Sequence, residues 1–351
     1  MKDTNYTVNI STHTFTKILI FFLAVAFLYM VREAIALIFV ALILASALDP
    51  LVDWLKKYKI PRGMGIIIIY IILFAVISGV IVLIIPPIAT EVKLIANDFP
   101  TYYEKVVSGL NYFTTNRTEL DTASQIQGSL NSLTSNLSRA ASGAFSTMLD
   151  VFGGIISFFL VLVITFYFTV EEEGMKRFVR SISPSHYHPY LMQLINRIQR
   201  RLGYWLRGQL ILSLIIFVLT FIGLTILGIE YALLLALIAG VFEIIPYLGP
   251  FLGAVPAIFL AFAQSPIKAL LVLILYVIVQ QLENHIIVPK VMSKSVGINP
   301  LLVIIVLLVG GKLGGAVGMI LAVPVATAIS VFLEDFLAKR SDGVEGDTQD
   351  G

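Results

Sequence analysis

The sequence predicts an all-α polytopic membrane protein of about eight membrane segments, including two Gly/Pro-broken re-entrant hairpins of opposite entry. Three observations predict it. Apolar residues make up 58% of the chain and charged residues only 13%, where soluble domains carry roughly 25% charged residues. The apolar residues fall in long unbroken runs, not in the short alternating segments of a transmembrane β-barrel. Basic residues collect in some connections between the runs and are sparse in others, the asymmetry that orients membrane helices.

Residues 1–90 read as three N-terminal membrane helices. No small-residue cleavage pattern follows the first apolar run, so it is expected to be retained. Ile18–Val31 and Ala34–Leu48 are separated by Arg32-Glu33. Each is short of the ~20 residues of a span and together they are too long for one, which predicts a tight helical hairpin. Gly65–Ile85 is the third span, ended by Pro86-Pro87 because proline brings no amide to the helical ladder.

Residues 91–144 read as an extracytoplasmic helical hairpin. Val92, Ile95, Phe99, Tyr103 and Val106 form one apolar stripe, and Ile126, Leu130, Leu133 and Leu137 a second. Residues 145–170 hold the fourth membrane helix. Residues 171–207 form a cytoplasmic amphipathic segment, with Leu191, Leu194, Ile198, Leu202 and Trp205 on one face and Arg197, Arg200 and Arg201 on others. That pattern fits a helix lying on the inner membrane surface, and it fits positive-inside bias equally well. Residues 208–335 form the transport core, opening with the span Leu210–Leu227, and residues 336–351 a disordered cytoplasmic tail.

Lys56, Lys57, Lys59 and Arg62 mark one cytoplasmic connection, and Lys176, Arg177 and Arg180 another. Residues 91–144 then face outside, and both termini lie in the cytoplasm. This orientation places both ends of Tyr231–Ala263 outside and both ends of Leu301–Val331 inside. Their arms are too short to span, so each is expected to enter and return. The first turns at Pro246–Pro250, within "EIIPYLGPFLGAVPA"; the second is broken by "GGKLGG", Gly310–Gly315. Paired broken segments of this kind are the best sequence pointer to a transporter's binding site.

Ionisable residues inside a membrane are costly and mark function by default. Glu243 precedes the first turn, Glu283 lies in "QQLENHIIVPK", and Lys312 sits in the second break. If both hairpins reach mid-depth, Glu243 and Lys312 approach one another. Pro246, Tyr247, Gly249, Pro250 and Gly253 on one side, and Gly310, Gly311, Gly314 and Gly315 on the other, would then offer free backbone groups to a solute or ion. Gln281, Glu283 and Asn284 are expected to line the path, with Gln280, Glu283 and Asn284 on one helical face that Pro289 ends. The plainer readings are a Glu243 that caps its own hairpin, a Lys312 that snorkels to the cytoplasm, and glycines that only let helices approach.

Other chemistries are excluded or unsupported. The chain has no cysteine, which removes disulfides and thiolate sites, and its net charge of +2 does not suggest nucleic-acid binding. "GGK" lacks the glycine spacing and the following Ser/Thr of a phosphate-binding loop. No protease signature is present, so no enzymatic activity and no cofactor or metal are expected.

"YWLRGQLILSLI", "GIEYALLLALIAGVFEIIPYLGPFLGAVPA" and "QQLENHIIVPKVMSKSVGINPLLVIIVLLVGGKLGGAVGMILAVPVA" closely resemble the autoinducer-2 exporter family, the PerM-like permeases of prokaryotes. The resemblance is strong from Arg201 to Glu334 and weaker before it. It implies an oligomeric carrier in the prokaryotic cytoplasmic membrane, of eight membrane segments with re-entrant hairpins. It implies export of a small polar solute such as the furanone autoinducer-2, or sodium(lithium)/proton antiport. It carries over the candidate residues above except Lys312 and Gln280, and adds Pro256, Pro289, Gly297, Pro300, Gly318 and Pro324. A membrane scaffold without transport is the reading of another class.

Overall fold

The computed structural model describes residues 12–113, 154–171, 173–292 and 299–346. All its described elements are helical. Helix α1 (Thr12–Met30) and helix α2 (Arg32–Lys57) are joined at Val31 alone. The Val31 amide donates to the Phe27 carbonyl and the Ile35 amide to the Val31 carbonyl, 3.0 Å each. Helical bonding therefore crosses the junction without a reversal. The tight hairpin expected there is instead a kinked rod. The charge that suggested a loop is accommodated on the helix surface, where the Arg32 guanidinium lies 4.2 Å from the centre of the Tyr29 ring.

Helix α3 (Arg62–Phe113) has 52 residues and continues through Pro86-Pro87, contrary to expectation. The prolines remove two amides but keep their carbonyls in the helix, and the Thr90 hydroxyl donates to the Pro86 carbonyl at 3.0 Å. At 1.5 Å per residue the helix is roughly 80 Å long, far more than the ~30 Å of a bilayer's hydrocarbon core. The stripe Val92–Val106 lies on this extension; the second stripe lies outside the described residues.

Helix α4 (Ile155–Val170) follows, then the short α5 (Gly174–Ile182), a 3-10 turn at Ser185–Tyr187 and α6 (His188–Ile226). Helix α6 is one rod of 39 residues, so the amphipathic stretch and the fifth span are a single element. Leu202 and Trp205 are buried inside the protein, and the Arg201 guanidinium grips the Glu334 carboxylate with two bonds of 2.8 Å. Arg197 bonds Asp335 beside it. This face of the stretch is thus packed on the protein.

Helix α7 (Ala232–Phe242) and helix α8 (Leu248–Gln264) form the first hairpin. Its turn is Glu243–Tyr247, slightly earlier than expected, and Pro250 sits in the first turn of α8. A Cβ on Gly253 would lie 2.8 Å from the Ala239 Cα, and one on Gly249 2.3 Å from the Phe242 carbonyl oxygen. The two arms pack backbone to backbone. Helix α9 (Pro266–Leu282), a π turn (Glu283–Ile287) and α10 (Val288–Val291) make one further rod. Pro289 does not end it. The wider π turn frees backbone groups, so a residue without an amide fits.

Helix α11 (Pro300–Gly346) breaks at Gly314 and at Gly315, whose φ is 58°. A Cβ on Gly310 would lie 2.4 Å from the Gly318 carbonyl oxygen. Residues eight apart on a straight helix are ~12 Å apart. The chain therefore reverses here and its arms touch: this is the second hairpin.

Five described stretches are long and apolar enough to cross a membrane: Arg32–Lys57, Arg62–Gly79, Ser185–Ile226, Pro266–Val291 and Leu301–Asp335. The last reverses on itself. Large apolar side chains such as Phe21, Phe22, Ile71 and Leu214 face outward, as they must toward lipid. Lipid is as apolar as leucine, so the helices are held by close packing and hydrogen bonds rather than by burial from water. Gly203 of α6 meets the backbone of Ser46, where a Cβ would lie 2.3 Å from the carbonyl oxygen, and Gly240 of α7 meets Phe217. Thr165 donates to the Ala41 carbonyl at 3.3 Å and Arg207 to the Ala47 carbonyl at 3.0 Å.

Three apolar clusters result among the described residues, the smallest being Ile216, Ala239 and Val279 of α6, α7 and α9. Leu224, Leu235, Ala257, Leu260 and Val272 join α6, α7, α8 and α9. Ile43, Leu202, Trp205, Ile245, Leu307 and Val323 join α2 and α6 to the tip of the first hairpin and both arms of the second. The two hairpins therefore meet through Ile245.

Candidate functional site

The first hairpin's tip is shaped by its backbone. The Glu243 amide donates to Ala239, Ile245 to Phe242 and Gly249 to Ile245, so the reversal is tightly bonded. Pro246 sets the direction of the turn, and Tyr247 adopts φ 64° with its side chain 43% exposed. A left-handed tyrosine is strained, and such strain concentrates at functional sites. Gly249, pressed on Phe242 and Glu243, closes the turn.

This geometry buries Glu243 to 2% exposure. Across from it, Glu283 opens the π turn and is 7% exposed. The two carboxyl groups lie within hydrogen-bond reach of each other. Glu243 Oε2 has no donor among the described residues. Gln280 reaches Glu283 and also donates to Asn284 Oδ1 at 3.2 Å, so the three share a face as their spacing predicts. The Tyr276 hydroxyl of α9 donates to the Gly253 carbonyl at 3.1 Å and ties the helix carrying Glu283 to the hairpin carrying Glu243.

Two carboxylates facing each other are acceptor against acceptor. Away from water, such a contact is satisfied only by something positive between the oxygens, a proton or a cation. No group of three or more His, Cys, Asp or Glu side chains placed to hold a metal ion occurs among the described residues.

The remaining candidates are distributed around this pair. Gly253 is buried in the hairpin interface, and Pro246 and Pro250 are half-buried beside it. Gln281 and Asn284 are exposed. Gly310 and Gly311 hold the second hairpin's arms together, while Gly314 and Gly315 have open space around them. Lys312, exposed near that tip, makes no ion pair among the described residues; the partner of Glu243 is Glu283. One residue escaped the sequence reading. Gln209 of α6, 2% exposed, donates its amide to the main-chain carbonyl of Glu243. Its signal was a lone amide inside the apolar run of "LRGQLIL".

Many outward-facing apolar helices, two broken hairpins that meet, and a buried acid pair at their junction define a multi-pass membrane protein of transporter type. The chain belongs to the AI-2E family transporters, whose model matches residues 17–338. It is 33% identical to YueF of Bacillus subtilis (strain 168), over 84% of this chain and 81% of that protein. It is 29% identical to YrrI of the same organism, over 86% of each. Their names go no further than transport protein. A sodium-lithium/proton antiporter of Halobacillus andaensis is 26% identical over 80% of this chain and 84% of its own length.

Proposed function

We propose that this chain is an ion-coupled secondary transporter that exports a small polar solute, with the Glu243–Glu283 pair binding the coupling ion. The observation that carries this is the contact between two carboxyl groups, buried to 2% and 7% exposure, with Glu243 Oε2 left without a donor. Two buried acids in contact need one positive charge between them, and a proton or a monovalent cation can supply it. The exposed amides of Gln281 and Asn284 and the exposed backbone at Gly314-Gly315 would offer hydrogen bonds to a polyol-like solute. In this reading both hairpins are re-entrant, the first from outside and the second from inside. The chain lies in the prokaryotic cytoplasmic membrane with both termini in the cytoplasm, and works as a homo-oligomer.

A second reading is sodium(lithium)/proton antiport, with the cation itself as substrate. The acid pair favours it, because a proton and a monovalent cation would compete for the same oxygens, and a relative carries that activity in its name. Proteoliposomes under an imposed proton gradient decide between them. Uptake of a labelled small polyol without sodium or lithium movement supports the first; lithium or sodium flux without the polyol supports the second. Neither flux, in either direction, contradicts both.

A further inference from the structure

We propose that Gln209, with Gly208 beside it, is a positioning residue that sets the spacing of Glu243 and Glu283; this rests on that pair being the coupling-ion site. Consecutive residues of α6 touch both supports of the pair. Gln209 donates its side-chain amide to the Glu243 carbonyl, on the turn that carries one acid. Gly208 faces Met292, at the end of the rod that carries the other, so closely that a Cβ would lie 2.6 Å from the methionine sulfur. The residue before them, Arg207, anchors the same turn of α6 to α2 through the Ala47 carbonyl at 3.0 Å.

The grip on Glu243 is specific. The carbonyls of Ala239, Val241 and Phe242 accept from amides of the turn, whereas the Glu243 carbonyl takes its donor from Gln209, and a buried carbonyl in a membrane protein needs one. Gln209 supplies one from a neighbouring helix. A side chain that is 2% exposed and commits its amide to this one carbonyl fixes where the turn sits. A shift of the turn would move the Glu243 carboxyl relative to Glu283, whose rod packs through Met292 on Gly208, the residue beside Gln209. The bracket therefore sets the distance that determines whether a proton is shared between the two acids.

The test is difference infrared spectroscopy on the purified full-length protein, beside gradient-driven flux in proteoliposomes with lithium, sodium and a polyol as probes. Glu243→Gln and Glu283→Gln assign the protonated-carboxyl band of the pair. Gln209→Leu, which keeps bulk but loses the donor, is expected to shift that band and lower flux about tenfold. Gln209→His keeps a ring N–H at similar reach and is expected to restore both. Gln209→Met, which also lacks a donor, repeats the test if the leucine variant does not fold. A wild-type band that Gln209→Leu and Gln209→Met leave in place overturns the proposal, as does a loss that Gln209→His does not rescue. If the band behaves as expected while wild-type protein carries none of the probes, the positioning role stands and the transport reading falls.

Discussion

Glu243 carries a carboxyl oxygen that is buried without a donor and faces a second acid. Replacing it with glutamine puts a fixed N–H donor where the two acids otherwise need an exchangeable proton or cation. Glu243→Gln is therefore expected to be more heat-stable than wild type by roughly 1–2 kcal/mol, while losing ion-coupled flux. Thermal unfolding in detergent checks the first and proteoliposome flux the second; a less stable variant would mean that the acid serves packing. Both acids were legible in the sequence as lone charges in apolar runs. Their pairing was not, because Glu243 and Glu283 are brought together by contacts between elements distant in sequence, among them the hairpin's glycine contacts, the Tyr276 bond to Gly253 and the Gln209 bond to the Glu243 carbonyl. Lys312 was the expected partner because it sits in the other break, but the hairpins meet through Ile245, which leaves the lysine exposed.

The second hairpin depends on backbone contact between its arms. A Cβ on Gly318 would lie 2.0 Å from the Gly310 carbonyl oxygen, whereas one on Gly314 would meet nothing within 4 Å. Gly318→Ala is expected to cost about 1–3 kcal/mol, and Gly314→Ala close to nothing. Gly315→Ala, at φ 58°, is expected to cost about 1 kcal/mol from the left-handed backbone alone. Melting temperatures of the three variants order these terms; equal losses at Gly314 and Gly318 would contradict the packed hairpin. The first hairpin has a second support: Glu91, beyond the proline pair of α3, accepts from the Leu234 amide at 3.0 Å in the opening turn of α7. Tyr231 gives no side-chain cap there, so Glu91→Ala is expected to cost about 1 kcal/mol. The glycine and proline breaks made both hairpins readable from the sequence. Arg32-Glu33 and Pro86-Pro87 misled for a common reason: an arginine that can lie over a tyrosine, and prolines that keep their carbonyls, do not stop a helix.

Across the whole molecule, α6 is the mast. It carries Gly203 against α2, Gln209 against the first hairpin's tip, Gly223 against Leu275 of α9, and Arg201 against Glu334 of α11. The Arg201–Glu334 pair is partly exposed, so Arg201→Ala is expected to lower stability by under about 1 kcal/mol, and the cost to shrink in high salt. The native chain has no cysteine, so single cysteines at positions 247 and 312 can be labelled without background. Labelling of 247 from outside only and of 312 from inside only is expected for hairpins of opposite entry; labelling of both from one face would contradict it.

On the proposed function, the Glu243–Glu283 pair is expected to hold a proton that the transported charge or the gradient displaces. The most direct measurement is proton release from purified protein in weakly buffered detergent solution on addition of lithium or sodium, compared with the same measurement under a polyol in proteoliposomes. The account predicts release from wild type, and none from Glu243→Gln or Glu283→Gln. Undiminished release from both variants, or none from wild type with any probe, would contradict it.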